Sequence, residues 1–349
     1  MAYTRTLRSG PMTEPSRAEE SRYMSRISIV CAIEAGRLEA QTLLMLRTLR
    51  QFGGALAGAP VTALQGRRGA PLRKATHAAL EEMDVAYAYR PDLNDAPWFN
   101  FTNKIAAVRY AEEHYQTPWR LWLDSDILFL NEPSFVNDPA LDTADFHARL
   151  EFRPPAVTTT DQTFVPYWTK LCALSGLDFD SLPFYDLDIP PRRMKPAFNS
   201  GVFLWRAGTG FVETYTKHYH QLLDARISPK GLGPWFADQV IMAPVLEAAK
   251  LQWRMLSVED HLMLFPGPDV PELPAVMPRA NLVHYSKSRL APHREAFDRL
   301  VLDSHPRLQD LMERHDREVA PTTNSLTERL IRYPRALRLH YFARRCTEV

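Results

Sequence analysis

The first half of the chain alternates short apolar runs with stretches in which apolar residues recur at helical spacing. The runs predict strands over residues 27–33, 61–64, 85–89 and 121–123. The periodic stretches predict helices over residues 38–52, 75–83 and 105–115. Strands that alternate with helices indicate an α/β fold with a mixed, mostly parallel sheet flanked by helices.

The pattern is less regular from residue 131 onward, where prolines become frequent, and residues 131–196 show few clear elements. The predicted helices of this half cover residues 167–174, 211–223 and 236–249. The predicted strands cover residues 198–205, 253–256 and 282–285. After Pro292 the pattern is helical and charged, and we expect breaks at Pro321 and Pro334.

The 349-residue chain has an ordinary globular composition, 45% hydrophobic and 24% charged. Its net charge of +1 gives no electrostatic reason to expect a nucleic-acid partner. Cys31, Cys172 and Cys346 form neither a zinc pattern nor a disulfide framework, which is typical of a reducing compartment. Because we find no bilayer-spanning run and no apolar leader in the polar first 26 residues, we expect a cytoplasmic protein.

Two carboxylates, Asp124 and Asp126, stand between the apolar runs 121–123 and 127–130. Buried carboxylates need a counter-charge, and Mg²⁺ or Mn²⁺ suits their hard oxygen ligands. A solvated hairpin turn is the alternative, since the same Asp-x-Asp spacing recurs in loop-like sequence at 178–180 and 186–188. The position at the carboxyl end of a strand favours the metal site, because ligands of parallel sheets bind there.

Several other chemistries of α/β proteins fit the sequence poorly. The first strand is followed by Glu34-Ala35-Gly36-Arg37, and neither G-x-G-x-x-G nor a P-loop is present. An aspartyl phosphatase needs a polar loop after its Asp-x-Asp, whereas Ile127-Leu128-Phe129-Leu130 continues as a strand. The carboxylate pair is thus left with a role in holding a cation.

At this point the chain resembles nucleotide-sugar glycosyltransferases of the GT-A fold, closest in motif order to glycosyltransferase family 8 and its relatives. The resemblance spans roughly residues 27–290. Its motifs are Asn103-Lys104 before the run with Asp124 and Asp126, then Phe198-Asn199-Ser200-Gly201-Val202, Asp238-Gln239 and Val283-His284-Tyr285-Ser286.

The resemblance implies a metal-dependent hexosyltransferase-like enzyme whose Mn²⁺ or Mg²⁺ is held by Asp124, Asp126 and His284. A nitrogen ligand suits Mn²⁺ better than Mg²⁺. Considered alone, His284 would be a hydrogen-bonded core histidine, whereas the order of the motifs favours a metal ligand. The residues implied to bind the nucleoside diphosphate sugar are Ala32, Ile33, Glu34, Asp92, Lys104, Asp124, Ser125, Asp126, Gly201 and Lys287. Alternatively, Lys104 would be a solvated lysine on the surface of a helix. Asp92 would then be an ordinary turn residue.

Catalytic roles are implied for Asp238, Gln239 and Asn199. Asp238 and Gln239 would face the anomeric carbon and the acceptor, and Asn199 would lie beside the donor sugar. A carboxylate there would deprotonate the acceptor in an inverting enzyme or stabilise an oxocarbenium-like state in a retaining one. The motif set slightly favours retention. The alternative for Asp238 is an acid that only complements a helix dipole.

The sequence departs from the family pattern after the late histidine. In place of a glycine followed by a Lys-Pro-Trp-like element, it continues Tyr285-Ser286-Lys287-Ser288-Arg289. Lys287 or Arg289 would have to substitute in the contact with the diphosphate.

Three parts follow along the chain. They are a polar disordered tail (1–26), a catalytic domain (27–290, with a nucleotide-binding half 27–130 and an acceptor half 131–290) and a helical extension (291–349). The acceptor would be a glycan, a lipid-linked sugar or a small molecule. The basic stretch Arg332–Arg345 would either lie on the inner face of a membrane or pack its apolar side on the domain. The sequence gives no oligomeric state.

Two rival functions remain. A sugar-1-phosphate nucleotidyltransferase shares a similar sheet but needs a glycine- and arginine-rich loop after its first strand. The segment Glu34-Ala35-Gly36-Arg37 has only one glycine and one arginine, so it fits that loop poorly. A non-catalytic sugar-nucleotide binding protein is the other, and the retained pair of carboxylates argues against it.

Overall fold

A computed structural model describes residues 26–264, 273–290, 292–319 and 326–349. Its strands are β1 (Ile27–Ala32), β2 (Val61–Gln65), β3 (Val85–Tyr89), β4 (Trp119–Leu123), β5 (Ile127–Phe129), β6 (Phe146–Leu150), β7 (Tyr185–Leu187), β8 (Arg192–Met194), β9 (Phe198–Arg206), β10 (Ile227–Ser228), β11 (Trp253–Met255), β12 (Leu262–Met263), β13 (Leu282–His284) and β14 (Thr347–Glu348). Its α-helices are α1 (Arg37–Phe52), α2 (Lys74–Glu82), α3 (Thr102–His114), α4 (Val165–Ala173), α5 (Phe211–Ala225), α6 (Ala237–Val240), α7 (Met242–Ala248), α8 (Leu273–Val276), α9 (Arg294–Ser304), α10 (Gln309–Glu318) and α11 (Leu326–Arg344). The predicted tail and the expected break at Pro321 lie outside the described residues, apart from residue 26.

A seven-stranded sheet in the order β11-β6-β9-β4-β1-β2-β3 forms the centre of the molecule. β4, β1, β2 and β3 run parallel to one another, while β9 is antiparallel to both β4 and β6. The predicted mixed, mostly parallel sheet is therefore confirmed. The carboxyl ends of β1, β2 and β4 meet at one edge, as the βα alternation requires.

Helices cover this sheet on both faces. Successive side chains of a strand point to opposite sides, so Ile29 packs in the layer that contains Leu46 of α1, whereas Val30 packs in the layer that contains Val108 of α3. Strands buried on both faces have no polar side to alternate with. This is why β1 has an apolar sequence apart from the buried Ser28.

A second sheet, in the order β12-β13-β5, adjoins the first. β5 follows β4 after only three residues, Asp124, Ser125 and Asp126. These residues thus carry the chain from one sheet to the other. β13 runs antiparallel to β5 with His284 opposite Ile127, which brings the late histidine beside the acidic turn.

β6 is the central strand that the sequence pattern did not predict. Its sequence, Phe-His-Ala-Arg-Leu, contains two polar residues that the structure buries with hydrogen-bond partners. His147 bonds to the carbonyl of Leu141, and Arg149 donates to the carbonyl of Leu256. Because buried polar groups need such long-range partners, the periodicity alone does not show this strand.

Two helix predictions need correction. The helix predicted over 236–249 is divided at Ile241 into α6 and α7. The break expected at Pro334 is wrong, because α11 continues through it. Pro334 is exposed. Further along the helix, Phe342 packs on the domain, with its ring 4.8 Å from that of Trp98. Packing of the later turn compensates for the hydrogen bond that a proline removes.

The last residues return to the part of the chain between residues 131 and 290, because β14 pairs with β10 in parallel. Among the described residues, none of the helices is both long enough and apolar enough to cross a membrane. The domain boundaries drawn from the sequence stay a prediction.

Candidate active site

Three ligand-type side chains converge at the turn between the two sheets. Ligand atoms of Asp124, Asp126 and His284 all lie within 4.8 Å of one another. Nε2 of His284 is 3.3 Å from Oδ1 of Asp126, and the backbone N–H of Tyr285 donates to the carbonyl of Asp126 at 3.0 Å. The register of β13 on β5 therefore fixes the histidine against the acidic turn.

The donor set fits a divalent cation. Two carboxylates and one imidazole are the ligand types that Mn²⁺ accepts, and the imidazole makes Mg²⁺ the poorer match. The side chains of Asp124 and Asp126 are 26% and 22% exposed, whereas that of His284 is 8% exposed. A cation held here would have room on the exposed side for ligands from a substrate.

The two carboxyl groups differ in their electrostatics. Burial raises the pKa of Asp124, and the charge of Asp126 adds to that effect while Lys104 opposes it. Burial also acts on Asp126, but His284 outweighs it and holds the pKa of Asp126 below its usual value. Two carboxylates this close repel each other, and a divalent cation would relieve that repulsion.

Lys104 is only 5% exposed, so the solvated-lysine alternative is excluded. Its Nζ lies 2.7 Å from Oδ2 of Asp238 and 3.2 Å from Oδ1 of Asp124, and it donates to the hydroxyl of Ser200 at 2.7 Å. Burial alone would lower the pKa of Lys104, but the two aspartates outweigh it and raise that pKa. The ammonium therefore stays charged beside the metal cluster.

Asp238 lies deeper than the sequence analysis expected. Its side chain is 2% exposed, and its carboxylate accepts hydrogen bonds from Lys104 and from the hydroxyl of Ser200 at 2.8 Å. The carbonyl of Asp238 accepts from Tyr215 at 2.7 Å. The carboxylate is thus held by Lys104 and Ser200, whereas Gln239 beside it is half-buried. The catalytic roles expected of both residues stay a prediction.

Gly201 and Asn199 support the cluster from β9. A Cβ on Gly201 would lie 2.5 Å from Nδ1 of His284, so only glycine leaves room for that ring. The carbonyl of Gly201 accepts from the N–H of Asp124 at 2.8 Å. Asn199 accepts from the N–H of Gly201 at 2.8 Å and donates to Glu151 at 2.9 Å. Its amide is therefore held by Gly201 and Glu151, and its expected place beside the donor sugar stays a prediction.

A family model of the Rhodobacterales glycosyltransferase domain matches residues 29–250, well over half of the chain. The chain belongs to this glycosyltransferase family. The prediction of a glycosyltransferase is thus confirmed, whereas placement in glycosyltransferase family 8 stays a prediction. No curated protein sequence matches the chain.

Solved structures of similar backbone include the galactosyltransferase LgtC with donor and acceptor sugar analogs, at TM-score 0.46 and 14% identity over 78% of this chain and 95% of that chain. Mouse xyloside xylosyltransferase 1 aligns at TM-score 0.44 and 13% identity over 76% and 99%. Core-mannan synthase A from Aspergillus fumigatus, in its Mn/GDP form, aligns at TM-score 0.42 and 12% identity over 71% and 79%. Because these TM-scores are below 0.5, the family assignment rests on the sequence match alone.

In this glycosyltransferase the carboxyl ends of β1 and β2 carry a polar network. Arg67 forms an ion pair with Glu34 and donates to Asn100 at 2.9 Å, and Asn103 also donates to Glu34. Ala32 is half-buried, and Ile33 is fully buried with its N–H bonded to the carbonyl of Leu64. The expected nucleoside-binding residues therefore lie together, with Glu34 held by Arg67.

Adjacent residues of α3 connect this network to the metal cluster. Asn103 reaches Glu34 on one side, and Lys104 reaches Asp124 on the other. The first turn of α3 thus ties the β1 end to the acidic turn.

Two expected donor contacts lie apart from this centre. Asp92 follows β3, with β2 between it and β1, and its exposed carboxylate is paired with Arg90 at 2.8 Å. Lys287 is exposed in the turn after β13. Arg289 is held by Asp298 and Asp316, both at 3.0 Å. Of the two substitutes for the diphosphate grip, only Lys287 is thus left facing solvent.

The sequence analysis missed three residues of the site, Arg67, Ser200 and His261. A signal existed for Arg67, which lies in Gly66-Arg67-Arg68-Gly69 directly after a strand of the parallel sheet. His261 precedes β12, lies edge to edge with His284 and is fully buried, and burial lowers the pKa of His261 well below its ordinary value. Nothing in the sequence around it distinguishes it from a core histidine.

Proposed function

We propose that this glycosyltransferase moves a sugar from a UDP- or GDP-sugar to an acceptor hydroxyl with the help of Mn²⁺ or Mg²⁺. The acceptor class would be a glycan, a lipid-linked sugar or a small molecule. The observation that carries the proposal is the convergence of Asp124, Asp126 and His284 at the carboxyl edge of the sheet. The cation would neutralise charge that builds on the leaving diphosphate.

The chain's own residues would act as follows. Asp124, Asp126 and His284 would hold the cation. Lys104 places a permanent positive charge beside Asp124, where it adds to the attraction for the diphosphate. Asp238 fixes that ammonium, so its part would be the placement of Lys104.

The nucleoside would lie at the end of β1. Ile33 is buried and offers only backbone groups there, whereas Glu34 and Arg67 form a fixed polar wall. A paired carboxylate and guanidinium can bind either the base or the ribose through hydrogen bonds. Turnover of UDP-sugars compared with GDP-sugars shows whether uracil or guanine binds at this position.

The position of Asp238 favours retention of configuration. An inverting enzyme needs a carboxylate that is free to take the proton of the acceptor hydroxyl. The carboxylate of Asp238 is occupied by Lys104 and Ser200. A base at this point would first have to break an ion pair.

The test is turnover of a panel of UDP- and GDP-sugars with and without Mn²⁺, with Asp126→Ala as the variant. We expect metal-dependent release of one nucleoside diphosphate, and a loss of about 100-fold or more in Asp126→Ala, because a Lewis acid contributes several kcal/mol. Asp180→Ala is the matched control, since it alters an exposed Asp-x-Asp of the same spacing.

Other outcomes would select the rival functions. Release of pyrophosphate from a nucleoside triphosphate would favour the nucleotidyltransferase. Binding of a nucleotide sugar without any turnover would favour the non-catalytic protein. Unchanged turnover and Mn²⁺ dependence in Asp126→Ala would disprove the metal site.

We also propose that the outer face of α11 rests on an anionic membrane surface. Leu330, Tyr333, Leu337 and Tyr341 are exposed and recur every three or four residues, so they share one face. The opposite face packs on the domain through residues such as Phe342. Arg332 and Arg335 donate to carbonyls of the domain, so the exposed Arg344 and Arg345 would be the residues that attract anionic lipid. Location in the cytoplasm stays a prediction.

A further inference from the structure

His261 lies next to His284, with the two imidazole rings edge to edge and nearly coplanar. The ring centroids are 5.5 Å apart and the planes differ by 21°. Nε2 of His261 is 3.3 Å from Nδ1 of His284, while Nε2 of His284 is 3.3 Å from Asp126. His284 thus directs one ring nitrogen at the cluster and the other at His261.

The hydrogen bond between the rings determines which nitrogen of His284 can bind a cation. A neutral imidazole has one protonated nitrogen and one lone pair. For Nε2 of His284 to ligate, the proton must sit on Nδ1 and be donated to Nε2 of His261. His261 must therefore accept at Nε2 and carry its own proton on Nδ1.

A purely structural role accounts poorly for His261. Among the described residues, its Nδ1 is one of the few buried side-chain atoms that have no hydrogen-bond partner. A buried polar atom without a partner destabilises the fold, and an apolar side chain of similar size would fill the space without that cost. A histidine at this position is explained if its other nitrogen, Nε2, is needed as the hydrogen-bond partner of His284.

We propose that His261 is a positioning residue that holds the ring of His284 in the orientation and tautomer in which Nε2 faces the cation. This inference rests on the proposed metal-dependent function. Histidine ligands are generally oriented by a hydrogen bond at their second nitrogen, and its loss weakens metal binding about 10- to 100-fold. Gly201 confines the same ring along its Nδ1–Cε1 edge.

The experiment measures Mn²⁺ affinity without substrate, from the electron paramagnetic resonance signal of the free ion. His261→Phe fills the space but removes the acceptor, whereas His261→Gln offers a carbonyl oxygen close to the position of Nε2. We expect the Phe variant to bind Mn²⁺ about 10- to 100-fold more weakly and the Gln variant to recover most of that loss. His305→Phe is the control, because this buried histidine bonds to the carbonyl of Met277, on another element.

Mn²⁺ affinity of His261→Phe within about two-fold of the wild type would overturn the inference, as would a Gln variant no better than the Phe variant. His261→Met, which keeps an apolar side chain of similar length, replaces the Phe variant if circular dichroism shows that the latter is unfolded. Asp126→Ala distinguishes a failure of the proposed metal site from a failure of the role proposed for His261. If this variant binds Mn²⁺ as the wild type does, the metal site itself fails, whatever the His261 variants show.

Discussion

The ammonium of Lys104 lies 2.7 Å from the carboxylate of Asp238, and both side chains are almost completely buried. The lysine comes from α3 and the aspartate from α6, so the ion pair joins a helix that precedes β4 to one that follows β9. The same ammonium reaches Asp124 at 3.2 Å. A change at Asp238 is therefore expected to reach the metal cluster through the lysine.

Asp238→Ala should destabilise the protein by about 3 kcal/mol, because it leaves the buried Lys104 with one carboxylate fewer. Asp238→Asn keeps the shape and an acceptor oxygen and should cost less. Urea unfolding of both variants measures the effect, alongside turnover. Full stability together with lost turnover would contradict the placement role and indicate that Asp238 acts on the substrate, as the sequence alone predicted.

Gly201→Ala should weaken Mn²⁺ binding by about ten-fold or more while the fold is retained, because a Cβ there collides with the ring of a metal ligand. Titration of Mn²⁺ against the variant measures this. Gly58→Ala is the matched control, since a Cβ at Gly58 meets nothing within 4 Å. Equal Mn²⁺ affinity in the two variants would show that His284 can move without cost.

Glu39→Gln should lower the free energy of unfolding by about 2 kcal/mol at neutral pH, because the buried carboxylate accepts hydrogen bonds from Arg73 and Thr76. Burial opposes its ionisation, but these partners outweigh that effect and lower the pKa of Glu39 from its ordinary 4.5. The stabilisation is complete above that ordinary value and is lost as the pH falls through the lower, folded value.

Urea unfolding between about pH 7 and pH 3 therefore distinguishes the two proteins. The difference in stability between wild type and Glu39→Gln should be constant near neutrality and shrink as the pH falls. A difference that grows on acidification would contradict the assigned direction of the pKa shift.

Replacing Leu330, Tyr333, Leu337 and Tyr341 together by serine should abolish sedimentation with vesicles rich in anionic lipid. The protein should stay folded, because the four side chains are exposed and do not belong to the core. Vesicles of neutral lipid and the variant Trp235→Ser, which removes an exposed aromatic group outside α11, are the controls. Unchanged sedimentation of the fourfold variant would refute the membrane surface.

The sequence by itself determined the layered α/β architecture and the place of the carboxylates. Strand and helix periods are local properties, since each element needs only its own apolar spacing to reveal the face it buries. The acidic pair could be located for the same reason, because the apolar runs before and after it mark the end of one strand and the start of another.

The partners within the site were decided by tertiary structure alone. The register of β13 on β5 places His284 at Asp126, the packing of α3 and α6 turns Asp238 toward Lys104, and the hydrogen bond between the rings of His261 and His284 joins two separate segments. A residue type shows which bonds a side chain can make, whereas the surrounding packing selects the one it makes. For this reason the resemblance could imply roles for Asp238 and Asn199 at the substrate, whereas only the fold shows that their side chains also pair with Lys104 and Glu151.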